Sequence, residues 1–137
     1  NAPEAQLDGI LIESMINNAI LELMVSLRRD PQFGLVLTVA SGGVMTEIYK
    51  DVSTVLVPAD DISLMAALES LHIAPLFNGF RGGPAASRTA VLDQIKCLVS
   101  LMESTPDIIE IEINPMMVGT DYACCADALI SISGTAA

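Results

Sequence analysis

The residues best placed to do chemistry stand in one stretch, IIEIEINPMMVGTDYACCADALI, residues 108–130. Glu110, Glu112 and Asn114 alternate there with Ile109, Ile111 and Ile113. A strand has period 2, so the three polar groups share one face and the isoleucines the other. Gly119-Thr120-Asp121-Tyr122 carries turn residues between two apolar runs, which predicts a hairpin. A hairpin symmetric about the Thr120–Asp121 bond sets Asn114 opposite Asp127. Directly paired Cβ atoms lie about 4.5–5.5 Å apart, so Glu112, Asn114 and Asp127 can converge on one hard cation. The competing reading is a half-exposed sheet face that is simply acidic.

The elements that must position this stretch follow from the rest of the chain. Leu7–Met15 reads as a short strand, Asn17-Asn18 as a turn, and Ala19–Leu27 as a second strand with a helix as the alternative. Arg28-Arg29-Asp30-Pro31-Gln32-Phe33-Gly34 reads as an ordered loop, because Pro31 biases Asp30 away from helix and Gly34 permits unusual dihedrals. Two arginines in so acidic a chain make an anion-binding candidate there, weighed evenly against a solvated basic corner. Leu35–Ala40 is a strand rich in β-branched residues, broken by Ser41-Gly42-Gly43. Two further strands, TEIYK and VSTVLV, divide near Asp51 and stop at Pro58.

From Asp61 the spacing turns helical, with Ile62, Met65, Ala66 and Glu69 in one row that ends near Ser70. A second glycine-rich loop holds Arg81 between Gly79 and Gly82. The long helix that follows opens at Ser87 or Ala86 and runs to about Glu103. Its stripe of Val91, Ile95, Leu98 and Met102, reinforced by Leu92 and Val99, predicts a core-facing helix. The sum is one α/β (α+β) domain: a largely antiparallel sheet covered by helices on one side.

Composition narrows the function classes. A chain of 137 residues fits one domain with a real core. Its net charge of −11 argues against a nucleic-acid face, which needs clustered Lys or Arg. No apolar run is long enough to span a membrane, and no signal-peptide pattern is present. Cys97, Cys124 and Cys125 lack zinc-like spacing and read as reduced thiols of a cytoplasmic protein. His72, the single histidine, sits between apolar residues and is read as packed or surface rather than catalytic.

Five segments in order carry a resemblance: ILIESM, the RRDPQFG loop, SGGVMTEIYKDVS, LFNGFRGGP, and IEIEINPM followed by CADALI. Together they make the chain similar to the second lobe of the ATP-grasp module in NDP-forming acyl-CoA synthetases, the group of ADP-forming acetyl-CoA synthetase and succinyl-CoA synthetase. The resemblance spans residues 8–132 as a second ATP-grasp subdomain. Residues 1–7 then form a flexible terminus or an expression remnant, and residues 133–137 a tail.

The resemblance implies that ATP lies between two lobes and that Mg2+ is held by Glu112, Asn114 and Asp127. It puts Glu13 at the hinge beside the adenine, Gly42 and Gly43 near the nucleotide, and the Arg28–Arg29 loop beside the active face. Arg81 becomes the catalytic arginine. The implied reaction joins a carboxylic acid to CoA, with ATP going to ADP and phosphate through a phosphohistidine carried elsewhere. The implied partners are the first ATP-grasp lobe, whose nucleotide-gripping lysine has no match here, and the CoA-binding and phosphohistidine domains. Without them the fragment is expected to be inactive and to bind nucleotide weakly or not at all. Two alternatives stay open: a regulatory module of a protein acetyltransferase, and a structural or subunit-contact domain.

Overall fold

The computed structural model describes residues 9–43 and 51–134. Strands β1 (Leu21–Asp30), β2 (Gly34–Ser41) and β3 (Val52–Val57) come first. Helix α1 (Asp61–Glu69), a short 3-10 turn (Ala74–Asn78) and helix α2 (Arg88–Ser104) follow. Strands β4 (Ile108–Val118), β5 (Ala123–Cys125) and β6 (Ala128–Ile132) close the order. The sheet runs β3-β2-β1-β4-β5, with β6 continuing the return strand on β4, and every pairing is antiparallel.

Strand β1 is the centre. Leu21, Leu23, Val25 and Leu27 alternate inward and are buried under the helices. Glu22, Met24, Ser26 and Arg28 therefore point to the opposite, uncovered face. Helix α2 supplies the lid of the core with Val91, Leu92, Ile95 and Met102. Its start is fixed by Ser87, whose Oγ accepts the Ala90 N–H over 3.2 Å, the expected N-cap bond. Asp60 caps α1 in the same way, accepting the Ser63 N–H over 2.8 Å. The row Ile62–Met65–Ala66–Glu69 is helical as read, but it is the outer row. Leu64, Ala67 and Leu68 face the core instead, and Ile62 is left 79% exposed.

Two of the expected elements differ in the described residues. Residues 9–15 of the expected first strand form no strand, and Ile10, Leu11, Ile12 and Met15 are exposed. A strand needs a partner for its N–H and C=O groups, and both edges of β1 are already taken by β2 and β4. The Arg28–Gly34 loop also shrinks. Strand β1 continues through Asp30, whose Oδ1 accepts the N–H groups of Gln32 (2.9 Å) and Phe33 (3.0 Å) in a tight turn. Those bonds hold the Asp30 carboxyl below its ordinary range. The TEIYK segment lies outside the described residues, as do residues 1–8 and the tail beyond 134. Among the described residues no helix is long and apolar enough to cross a membrane.

Candidate functional site

The site is built on the β4 hairpin. Met116 pairs with Cys125, Met117 with Cys124 and Val118 with Ala123, while Ile113 pairs with Ala128 and Glu112 with Leu129. One register runs through both return strands, so Asn114 falls opposite Asp127, and the Asn114 N–H donates to the Asp127 carbonyl over 3.3 Å. The return strand breaks at Ala126–Asp127, where Ala126 N–H donates to the Pro115 carbonyl over 3.0 Å. Proline has no N–H for the ladder, and β4 bulges against β1 between Ile113 and Met116.

Burial separates the two faces of β4. Ile111 and Ile113 are 1% and 2% exposed, while Glu112 and Asn114 remain half-buried on the other side. Ile109 departs from the expected alternation. A shift of register between Ile108 and Glu110 makes Ile109 the extra residue, so Ile108 takes the core position and Ile109 is exposed.

The glycine segment reaches the same place from β2. Gly42 N–H donates to the Glu22 carbonyl over 2.8 Å. A Cβ at Gly42 would come within 2.5 Å of the Leu23 carbonyl carbon, so only glycine fits this approach. Gly43, at φ +72°, donates its N–H to Asn114 Oδ1 over 3.0 Å. Gly43 and Asn114, singled out on separate segments, thus meet. Asp127 Oδ1 accepts the Ala128 N–H over 2.8 Å and is exposed.

Two carboxylates and one carboxamide give an all-oxygen donor set. No group of three or more His, Cys, Asp or Glu side chains gathers for a metal among the described residues. Mg2+ does not need one: it takes one or two carboxylates and completes its shell with water and substrate phosphates. The donor chemistry fits that ion.

The other predicted residues divide. Glu13 lines an open groove of about 330 Å³ with Met117, Cys124, Cys125 and Ala126, beside the hairpin. Arg28 stays on the uncovered face, opposite Glu110 in register and 3.6 Å from Asp30 Oδ2. Asn114 stands four positions further along β4, about 13 Å along a strand. Arg29 must be corrected. It alternates to the helical face, where its guanidinium donates to the carbonyls of Ile108 (2.8 Å), Met102 and Thr105. An arginine spent on the carbonyls at the end of α2 braces the fold and does not face the acidic residues. Arg81, in the left-handed region at φ 52°, lies over the Phe80 ring at 5.2 Å. No described contact joins it to Asn114.

One buried charge escaped the sequence reading. Asp51 is 6% exposed, with Ser41 Oγ donating to its Oδ2 over 2.5 Å and His72 N–H to its Oδ1 over 2.8 Å. Burial pushes its carboxyl up. The Ser41 hydroxyl, the backbone N–H groups of His72 and Ile73, and the nearby His72 ring together outweigh that and hold it below the ordinary aspartate range. Its place at the strand boundary gave no signal, since burial there depends on segments distant in sequence.

Comparison with known proteins identifies the family. The ATP-grasp domain family matches residues 1–132. A trans-feruloyl-CoA synthase from an unknown prokaryotic organism is 37% identical over 82% of the chain and 16% of its own length. The beta subunit of ADP-forming acetate–CoA ligase I from Pyrococcus furiosus is 33% identical over 92% of the chain and 54% of its own length. Among solved structures, the dinucleotide-forming acetyl-coenzyme A synthetase 1 of Ca. Korarchaeum cryptofilum, in complex with coenzyme A and Mg-AMPPCP, superposes with a TM-score of 0.77. It is 28% identical over 82% of this chain and 53% of that one. The chain therefore spans about half the length, or less, of the relatives it matches. With an antiparallel sheet covered by helices and a family match over residues 1–132, the chain belongs to the ATP-grasp family.

Proposed function

We propose that this chain is the nucleotide- and magnesium-contacting lobe of an ADP-forming acid–CoA ligase, which converts carboxylic acid, CoA and ATP to acyl-CoA, ADP and phosphate. The observation that carries the reading is the meeting of Asn114 with Gly43 on one side and with the Asp127 backbone on the other. In this reading Glu112, Asn114 and Asp127 hold Mg2+, and Gly42 and Gly43 lie along the nucleotide. Glu13 lines the groove toward the adenine. Bound Mg2+ supplies charge neutralisation on the phosphates. The chain's own residues orient: Asn114 adds an oxygen without adding repulsion between the flanking carboxylates. Arg28 on the uncovered face and Arg81 in its loop screen phosphate charge.

The relatives' names supply the substrate class, acids joined to CoA, and the Mg-AMPPCP complex supplies the ligand class. The exposed run of Ile10, Leu11, Ile12 and Met15 is apolar surface that a first lobe would cover. The CoA-binding and phosphohistidine domains complete the enzyme. The test is acid-dependent release of ADP with formation of acyl-CoA by the intact protein that carries this chain. Activity there, and none from the 137-residue chain alone, is the expected pair of results. Turnover by the repurified chain alone, or none by the intact protein with any acid, contradicts it.

A further inference from the structure

Asp51 is a buried carboxylate that the functional reading does not use. It ties together β2, the start of β3 and the segment after α1. The Ser41 N–H donates to its carbonyl over 3.1 Å and the Ser41 hydroxyl to its Oδ2 over 2.5 Å. Its Oδ1 accepts the His72 N–H over 2.8 Å. His72 Nδ1 lies 3.5 Å from the same oxygen, on a ring that is largely in solvent. A buried carboxylate costs free energy unless its oxygens are satisfied, and here they are satisfied by groups from two other segments.

What these bonds hold in place is the strand end that leads to the site. Ser41 is followed by Gly42, pinned to the Glu22 carbonyl, and then by Gly43, whose N–H reaches Asn114 Oδ1. Gly42 lies close against β1, where a Cβ would strike the Leu23 backbone. On the side away from β1, Ser41 is held to Asp51 through both its backbone N–H and its hydroxyl.

We propose that Asp51 is a positioning residue, acting through Ser41 to hold the Gly42–Gly43 segment so that Gly43 orients the Asn114 carboxamide for magnesium–nucleotide binding. This rests on the functional reading above. Groups that orient a ligand side chain without touching the ion change affinity by about 10–100-fold when removed.

The test is a mutant cycle in the intact enzyme, with Mg-AMPPCP titration and thermal melts on each variant. Ser41→Ala removes only the hydroxyl, and Asp51→Asn keeps shape while losing one acceptor. Each is expected to weaken Mg-AMPPCP about 10-fold or more. The double variant should lose no more than the worse single one, because both cut one relay. In an Asn114→Ala background neither should weaken binding further. Ser41→Thr, which keeps the hydroxyl, should retain affinity. If Ser41→Ala and Asp51→Asn lower the melting temperature but leave affinity intact, the residues are structural only and the proposal falls. If both still weaken binding in the Asn114→Ala background, the relay does not run through Asn114 and it falls as well. If Asn114→Ala alone has no effect, the functional reading fails, a result separate from either of these.

Discussion

Gly43 and Asn114, 71 residues apart in sequence, are joined by a 3.0 Å hydrogen bond from backbone N–H to carboxamide oxygen. The bond ties the end of β2 to the middle of β4 across the mouth of the candidate site. It also leaves the carboxamide oxygen a second lone pair, since a carbonyl oxygen accepts twice. Several outcomes depend on this arrangement and on the framework behind it.

Ile113, next to Asn114 but on the opposite face, is 2% exposed within the core. Ile113→Ala should lower stability by about 2–5 kcal/mol, the range for truncating a buried isoleucine. Chemical denaturation followed by circular dichroism measures this. A loss under about 1 kcal/mol would mean the two faces of β4 are not separated as described.

Arg29 should matter for folding rather than for nucleotide. Its guanidinium serves the carbonyls of Met102 and Thr105 at the end of α2 and of Ile108 at the start of β4. Arg29→Met keeps much of the stem and removes the donors, and should cost about 1–3 kcal/mol. Arg28→Ala removes an exposed pair with Asp30 and should leave stability nearly unchanged. Paired melts of the two variants show the order, and a reversed order contradicts the assignment of faces.

The Asp51 carboxyl is held below its ordinary range in the folded chain by Ser41, His72 and Ile73, against its own burial. A depressed folded value stabilises above the unfolded value, about 3.9, and that contribution fades as pH falls through the folded value. Asp51→Asn should therefore be less stable than the parent sequence at pH 7. The gap between their melting temperatures should narrow below about pH 4. A gap that stays constant from neutral to acid pH would show that ionisation of Asp51 adds no stability.

Gly42→Ala should lower stability by about 1–3 kcal/mol, as overpacking does. The added methyl would meet the Leu23 backbone at 2.5 Å, and that backbone is held between β2 and β4. A melt indistinguishable from the parent's would place β2 farther from β1 than described.

The sequence made the register legible because it depends on local things: a four-residue turn and a strict alternation from Glu110 to Asn114. The stripe of α2 and its Ser87 cap were legible for the same reason. Ile109 was misplaced because a bulge adds one residue without marking composition. Arg29 was misplaced because strand β1 runs two residues past Arg28, and each added residue reverses the face. The run from Ile10 to Met15 has strand composition, but a strand also needs a neighbour, and β1 has no free edge to offer. Asp51 was invisible because its hydrogen-bond partners, Ser41 and His72, lie 10 and 21 residues away and cannot be read from its own neighbourhood.

The central claim is that Asn114 belongs to a magnesium–nucleotide site. Titration of the intact enzyme with Mg-AMPPCP, wild type against Asn114→Ala, tests it most directly, with melts run alongside. The account predicts affinity weakened about 10-fold or more, dependent on Mg2+, and a melting temperature close to the parent's because no core contact is lost. Unchanged affinity together with unchanged turnover would remove Asn114 from the site and contradict the account.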